Sequence, residues 1–211
     1  MENNLPSKLL QQAVDELSRL PSVGKRTALR LAIHILKQDP IYAQNLAESI
    51  SNLREKIHHC SVCHNISDNE ICDICSNFKR DKEVICVVED IRDFIAIEGT
   101  GQFTGLYHIL GGVISPINGI GITDLTIESL VSRIATNEYK EIILALPTTI
   151  EGETTSLYIY KRLIQFNIEI NTIARGVAFG DDLEYADQIT LGRSIINRTP
   201  FQSQISSKRF I

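Results

Sequence analysis

Four cysteines constrain this chain more than any other feature. Cys60, Cys63, Cys72 and Cys75 form two C-x2-C pairs separated by eight residues. Each pair can turn two thiolates toward one point, and two pairs close a tetrahedral Zn²⁺ site with no open position. Such a site is structural, because no coordination position remains for a reacting water. It staples a segment of about 20 residues that is too small to own a core. Paired disulfides or an iron–sulfur centre would use the same residue pattern, and His58, His59 and His64 stand close enough to substitute as ligands. Between the first and last cysteine the charges are Asp68, Glu70 and Asp73, with no base. That loop repels phosphate, so it reads as a staple rather than a DNA-reading finger.

The remaining cysteine, Cys86, lies in the apolar run "VICVVE", where a buried structural thiol is expected. An odd cysteine count points to a reducing compartment. The N-terminal "MENNLPSKLLQQ" lacks the basic and apolar regions of a secretory signal, and no run of 18 apolar residues exists. The expectation is therefore a cytoplasmic protein with no membrane partner. At 211 residues, 43% apolar and 22% charged, the chain can bury a core. Its net charge of −5 is uneven. Residues 1–59 hold eight Lys/Arg against six Asp/Glu, and residues 60–211 hold thirteen against twenty. From Leu17 to Gln38 there are five basic residues and no acid. A local basic patch on an acidic protein suggests an anionic partner at one place only.

That basic stretch sits in a helical region. Leu9, Leu10, Ala13 and Leu17 keep helical spacing, as do Leu29, Ala32, Ile33 and Leu36, and again Leu46, Ile50, Leu53 and Ile57. Pro21 and Gly24 mark a tight turn between the first two helices, and Asp39-Pro40 divides the second from the third. The segment "LPSVGKRTALRLAIHIL" resembles the helix-hairpin-helix motif of proteins that bind DNA without reading sequence. A Gly-bearing turn lets backbone N–H groups approach a phosphate, and the helix that follows adds its dipole. Lys25, Arg26 and Arg30 are the candidate DNA-binding residues; Arg26 and Arg30, four apart, share a face. The motif usually carries Gly at both hairpin positions, and here the first is Ser22.

Beyond about residue 82 the pattern changes. "VICVVE", "EIILAL" and "IEINTIA" read as strands, with helices near 125–136, 154–166 and 184–197 between and after them. Alternation of this kind implies a parallel sheet flanked by helices. "YHILGGVIS" reads as a strand, a Gly-Gly turn and a second strand. The tail from Thr199 reads as a strand or a mobile arm. Glu89 ends the first strand, and Glu151 and Glu153 follow the second, at the strand ends where functional groups of open sheets collect. This resembles the Toprim domain of topoisomerases, primases and some nucleases, with E-x-E in place of D-x-D. Three carboxylates there suit Mg²⁺; they equally suit helix N-termini. No Gly-rich nucleotide-binding fingerprint is present: "GTGQFTG" has the wrong spacing.

Helix-hairpin-helix (1–57), four-cysteine zinc module (58–79), Toprim-like domain (80–198) and tail (199–211), in this size and order, resemble the RecR family of bacterial recombination mediators. The resemblance runs from Leu5 to about Arg198. It is carried by "LPSVGKRTALRLA", the four cysteines, "VICVVED", "GLYHILGGVISPINGIG", "EGETTSLYI" and "GDDLEYADQITLGR". The last resembles a Walker-B-like segment and gathers Asp181, Asp182, Glu184 and Asp187; a solvated helix start would use the same acids. Membership implies a protein without catalytic activity of its own, found at the nucleoid. It implies a ring-shaped homotetramer that clamps DNA and acts with RecO and RecF to load RecA on gapped DNA. It also implies that Arg26 and Arg30 face DNA, and that Glu89, Glu151 and Glu153 belong to the surface turned toward RecO. Lys25 stands where members often have Pro, Pro147-Thr148 replaces a common Asn-Pro, and Ala178 a common Pro. The competing expectation is a Mg²⁺-dependent Toprim nuclease or topoisomerase-like enzyme.

Overall fold

The structure, a computed structural model, describes residues 5–177, 180, 182–198 and 200. The chain divides into two compact units, Met1–His58 and His59–Ile211.

The first unit is helical. α1 (Lys8–Leu17) begins at Ser7, whose hydroxyl accepts from the Leu10 N–H. α2 (Lys25–Leu36) follows Gly24. α3 (Pro40–Lys56) is started by Asp39, which accepts from the Ile41 N–H, with Pro40 at the first helical position. α1 packs on α2 around Val14, Ala28 and Ala32, with Leu10, Leu17, Val23 and Leu29 partly buried. α3 buries no residue. Its apolar stripe stays open to solvent, with Ile50 61% and Leu53 63% exposed.

The second unit carries the cysteines and the sheet. β1 (His58–His59) and β2 (Ile66–Ser67) form a short ribbon, followed by α4 (Asp73–Ser76). Then come β3 (Val84–Val88), α5 (Ile91–Glu98), β4 (Leu106–Ile109), α6 (Ile127–Thr136), β5 (Glu141–Ala145), α7 (Ile150–Leu163), β6 (Glu169–Thr172) and α8 (Gln188–Ile196). The four strands β4-β3-β5-β6 are all parallel, with Val88 level with Ile109 on one side and Ala145 on the other. Ile85, Val87, Ile142 and Leu144 point to one face, under Leu130 and Ile134 of α6 and Ile159 and Leu163 of α7. Cys86, Val88, Tyr107 and Ile109 point to the other, under Phe94 and Ile97 of α5. Both faces are covered, which is why these strands read as unbroken apolar runs. Burial pushes the Cys86 thiol up to about 12, so it is an inert packing group.

The expected strands and helices are present, with two differences. α5 has no counterpart in the sequence reading. It is set by a capping box, in which Asp90 accepts from the Arg92 and Asp93 N–H groups and Asp93 accepts from the Asp90 N–H. The second strand of "YHILGGVIS" does not form. Gly111 and Gly112 take φ of 85° and 150°, which turn the chain off the sheet. Ile114 then donates its N–H to the Thr155 hydroxyl of α7, and Ser115 makes only an isolated bridge to Ile120. The tail from Thr199, apart from Pro200, and Asp181 lie outside the described residues.

Candidate metal centre and nucleic-acid interface

The four cysteines converge. Their Sγ atoms all lie within 4.8 Å of one another, and Cys63 and Cys72 are 3.5 Å apart. A ZnS₄ tetrahedron with bonds of about 2.3 Å has edges near 3.8 Å, so the set fits the ion. The donors suit it chemically: four converging sulfurs are the soft ligands that Zn²⁺ takes in closed structural sites. The Cys72 N–H points at Cys60 Sγ, 3.3 Å away. Cys60, Cys63 and Cys72 are buried and Cys75 is partly exposed. These residues hold a structural zinc, which would fix the two knuckles and leave no site for a substrate. No histidine is needed. His64 instead follows the first knuckle with φ of 63°, a left-handed conformation, and its Nε2 lies 2.7 Å from the Ser129 hydroxyl of α6.

That contact is one of several that dock the zinc module on the sheet domain. The Ile109 N–H donates to the Cys63 carbonyl at 2.9 Å. Arg133 of α6 donates to the Tyr107 carbonyl at 2.7 Å and the Val62 carbonyl at 3.5 Å, and its Nε to the Tyr139 hydroxyl. His64 packs edge-on against His108, with centroids 5.2 Å apart. His108 is fully buried, and burial, with Arg133 beside it, holds its pKa down to about 3. It is therefore a neutral ring. The sequence reading does not contain this network; its one visible signal is Arg133 on the apolar stripe of Leu130 and Ile134.

The Toprim-type acids sit where topology places them. Glu89 follows β3, at the carboxyl edge where the crossovers to β4 and β5 diverge. Burial raises its pKa, and Asp93 and Asp90 add to that. Glu151 and Glu153 occupy the first turn of α7, which Thr149 caps by accepting from the Gly152 N–H. Gly152 is required there, since a Cβ would fall 2.1 Å from the Pro147 carbonyl oxygen. Glu153 accepts from Arg175 at 2.7 Å and Arg193 at 3.3 Å, and the Arg175 hydrogen bond lowers its pKa. Among the described residues, the cysteines are the only group of three or more His, Cys, Asp or Glu whose ligand atoms gather; the three glutamates do not. Asp187 caps α8, accepting from the Thr190 N–H at 2.9 Å.

The hairpin between α1 and α2 keeps the shape its pattern implies. Ser22 holds φ of 65° at the position where the motif favours Gly. Gly24 is the N-cap of α2, at an ordinary φ of −78°, and a Cβ on it would meet nothing within 4 Å. Neither backbone conformation nor packing demands glycine there. Its consequence is an unobstructed helix N-terminus. α1 and α3 are capped by side chains, whereas α2 has no side-chain cap. Lys25, Arg26 and Arg30 are all exposed on α2.

A helix-hairpin-helix unit, a four-cysteine zinc module docked on a parallel sheet domain, and strand-end acids define a zinc-bearing protein of the Toprim class. Family models match along the chain in that order. They are "RecR, helix-hairpin-helix" over residues 10–54, the RecR zinc finger domain with four cysteines over 57–77, "Toprim domain" over 83–174 and "RecR, C-terminal" over 176–199. The chain is 56% identical over 201 residues to Recombination protein RecR of Parabacteroides distasonis, covering 95% of this chain and 97% of that one. It is 55% identical to the Flavobacterium johnsoniae protein of the same name (93% and 95% covered) and 54% identical to that of Cytophaga hutchinsonii (95% and 98%). The chain belongs to the RecR family. Among the described residues, no helix is long and apolar enough to cross a membrane.

Proposed function

We propose that this protein is a non-enzymatic DNA-binding scaffold of recombinational repair. In this reading it assembles as a ring-shaped homotetramer and works with RecO and RecF to load RecA on gapped DNA in the bacterial cytoplasm. The observation that carries it is the open N-terminus of α2: Gly24, no side-chain cap, and exposed Arg26 and Arg30 in a stretch free of acids. Uncapped N–H groups with guanidinium groups beside them hold phosphate without reading bases. Lys25 adds charge at the same helix start. Self-association is supported by the exposed Ile50 and Leu53 of α3, an apolar stripe with no partner inside its own unit. Several basic patches turned into one ring would retain DNA by multivalency despite the net negative charge. Glu89, Glu151 and Glu153 form the surface assigned to RecO. The two arginines on Glu153 favour this over a metal-dependent reaction.

The test is a gel shift on a labelled gapped duplex with Mg²⁺, each lane re-run under denaturing conditions. The expected result is a shifted band with intact strands, and weaker binding to every sequence for Arg26→Ala/Arg30→Ala. Strands cut or rejoined by wild type and spared by Glu89→Gln would replace the scaffold with a Toprim enzyme.

A further inference from the structure

α2 carries more cationic surface than the hairpin uses. Arg26, Arg30, His34 and Lys37 are all exposed. At 3.6 residues per turn they fall within an arc of about 80°, running about 16 Å along the helix. The buried Ala28 and Ala32 lie on the opposite side. Among the described residues, none of Arg26, Arg30 and Lys37 is ion-paired; this unit's one ion pair joins Arg19 to Glu16. Arg30, His34 and Lys37 also border a depression of about 430 Å³.

The far end of the stripe is aromatic. The rings of His34 and Tyr42 meet edge to face, with centroids 6.2 Å apart. Tyr42 is 45% exposed and His34 is exposed, so both rings reach solvent. In an edge-to-face pair one ring presents its edge and the other a face, so the contact itself leaves aromatic surface for stacking. Bases inside a duplex have their faces covered by neighbours. Only an unpaired or terminal base offers a face to a protein ring, and such stacking tolerates any sequence.

We infer that the stripe leads from the phosphate site at the hairpin to a base-stacking site at His34 and Tyr42, whose ligand is single-stranded DNA continuing from a duplex end. The inference rests on the reading of α2 as a DNA-binding helix. Arg26 and Arg30 hold duplex phosphates, Lys37 holds the phosphate of the departing strand, and the ring pair takes its first unpaired base.

The test uses fluorescence anisotropy of the full-length protein on three substrates: a blunt duplex, the same duplex with a short single-stranded overhang, and that overhang made abasic. Wild type is expected to bind the natural overhang about tenfold more tightly than either other substrate. Tyr42→Ala should erase that gain while changing blunt-duplex binding, where only the end pair offers a face, by far less than the gain lost, and Tyr42→Phe should restore it. The chain has no tryptophan, so Tyr42→Trp installs a sole indole at the site. Its fluorescence should quench on the natural overhang and not on the abasic one. The site is overturned if the abasic overhang binds as well as the natural one, if Tyr42→Ala keeps the gain, or if the indole does not quench. If Tyr42→Ala unfolds or changes oligomeric mass by light scattering, the indole quench decides. Arg26→Ala/Arg30→Ala reports on the underlying reading alone: unchanged blunt-duplex binding removes α2 as the DNA-binding helix, whatever Tyr42 does.

Discussion

The two units reach stability by different routes. Among the described residues, the second encloses thirteen buried residues on one face of its sheet and five on the other, and adds four cysteines around one point. The first, among the described residues, encloses only Val14, Ala28 and Ala32, and its longest helix buries nothing. Apolar burial contributes roughly 25 cal/mol per Å², so the first unit draws little from its own interior. Its exposed residues are therefore free to serve surfaces, cationic on α2 and apolar on α3. The second unit is a frame whose residues are committed to each other.

Zinc tests that frame most severely. Arg133 and the Ile109 N–H tie the cysteine module to α6 and β4, so loss of the metal should not stay local. Structural zinc contributes on the order of 10 kcal/mol in isolated fingers. Chelation, or Cys72→Ser, should cost the second unit several kcal/mol. Hydrogen exchange should then show opened amides at β4 and α6 while α1 and α2 keep theirs. If the sheet melts at the same temperature without zinc, the module is an appendage and not part of the frame.

Two glycines at helix starts sharpen the contrast. Gly152→Ala drives a Cβ into the Pro147 backbone and should destabilise the second unit by about 3 kcal/mol. Gly24→Ala meets nothing and should cost about 1 kcal/mol or less. Its effect belongs in a binding assay, because the added methyl stands at the open end of α2. Chemical denaturation and DNA titration of both variants separate a glycine required by packing from one required by a partner.

The core of the second unit also predicts a pH dependence. His108 has a folded pKa held down to about 3 against an ordinary 6.5. Its contribution is complete above about pH 6.5 and is lost as pH falls, because the unfolded chain binds the proton first. The slope is at most about 1.4 kcal/mol per pH unit between those limits. In holo-protein, His108→Gln should flatten the stability curve by that amount between pH 6.5 and 5. An unchanged slope would mean that the buried ring is protonated in the folded state.

What the sequence discloses follows the same division. Periodicity marks α1, α2 and α3, and unbroken apolar runs mark β3 and β5, because each pattern is local. The cysteine spacing locates the metal cluster for the same reason. α5 escapes a periodicity reading because its signal is a capping box of two aspartates, not a long apolar period. The second strand expected after β4 does not form: Val113 and Ile114 have strand propensity, but Gly111 and Gly112 turn the chain away and the Ile114 N–H goes to Thr155, 41 residues on. The grip of Arg175 and Arg193 on Glu153 and the docking of His64 on Ser129 join residues far apart in sequence. No local pattern carries such pairs.

The smallest effect compares the two left-handed residues that are not glycine and flank the motifs. Ser22 and His64 hold φ of 65° and 63°, one in each unit. Each conformation costs a non-glycine residue about 1 kcal/mol or more. His64 offsets that cost through the Ser129 hydroxyl and the His108 ring. Ser22 is exposed and makes no side-chain hydrogen bond among the described contacts. Ser22→Gly should therefore stabilise the first unit, by less than about 1 kcal/mol once glycine's larger unfolded-state entropy is subtracted. His64→Gly relieves the same strain but removes the docking contacts, so it should destabilise the second unit. Equilibrium denaturation of the two variants should give opposite signs. Stabilisation of both would mean that the left-handed backbone, not what each side chain touches, sets the energy of these turns.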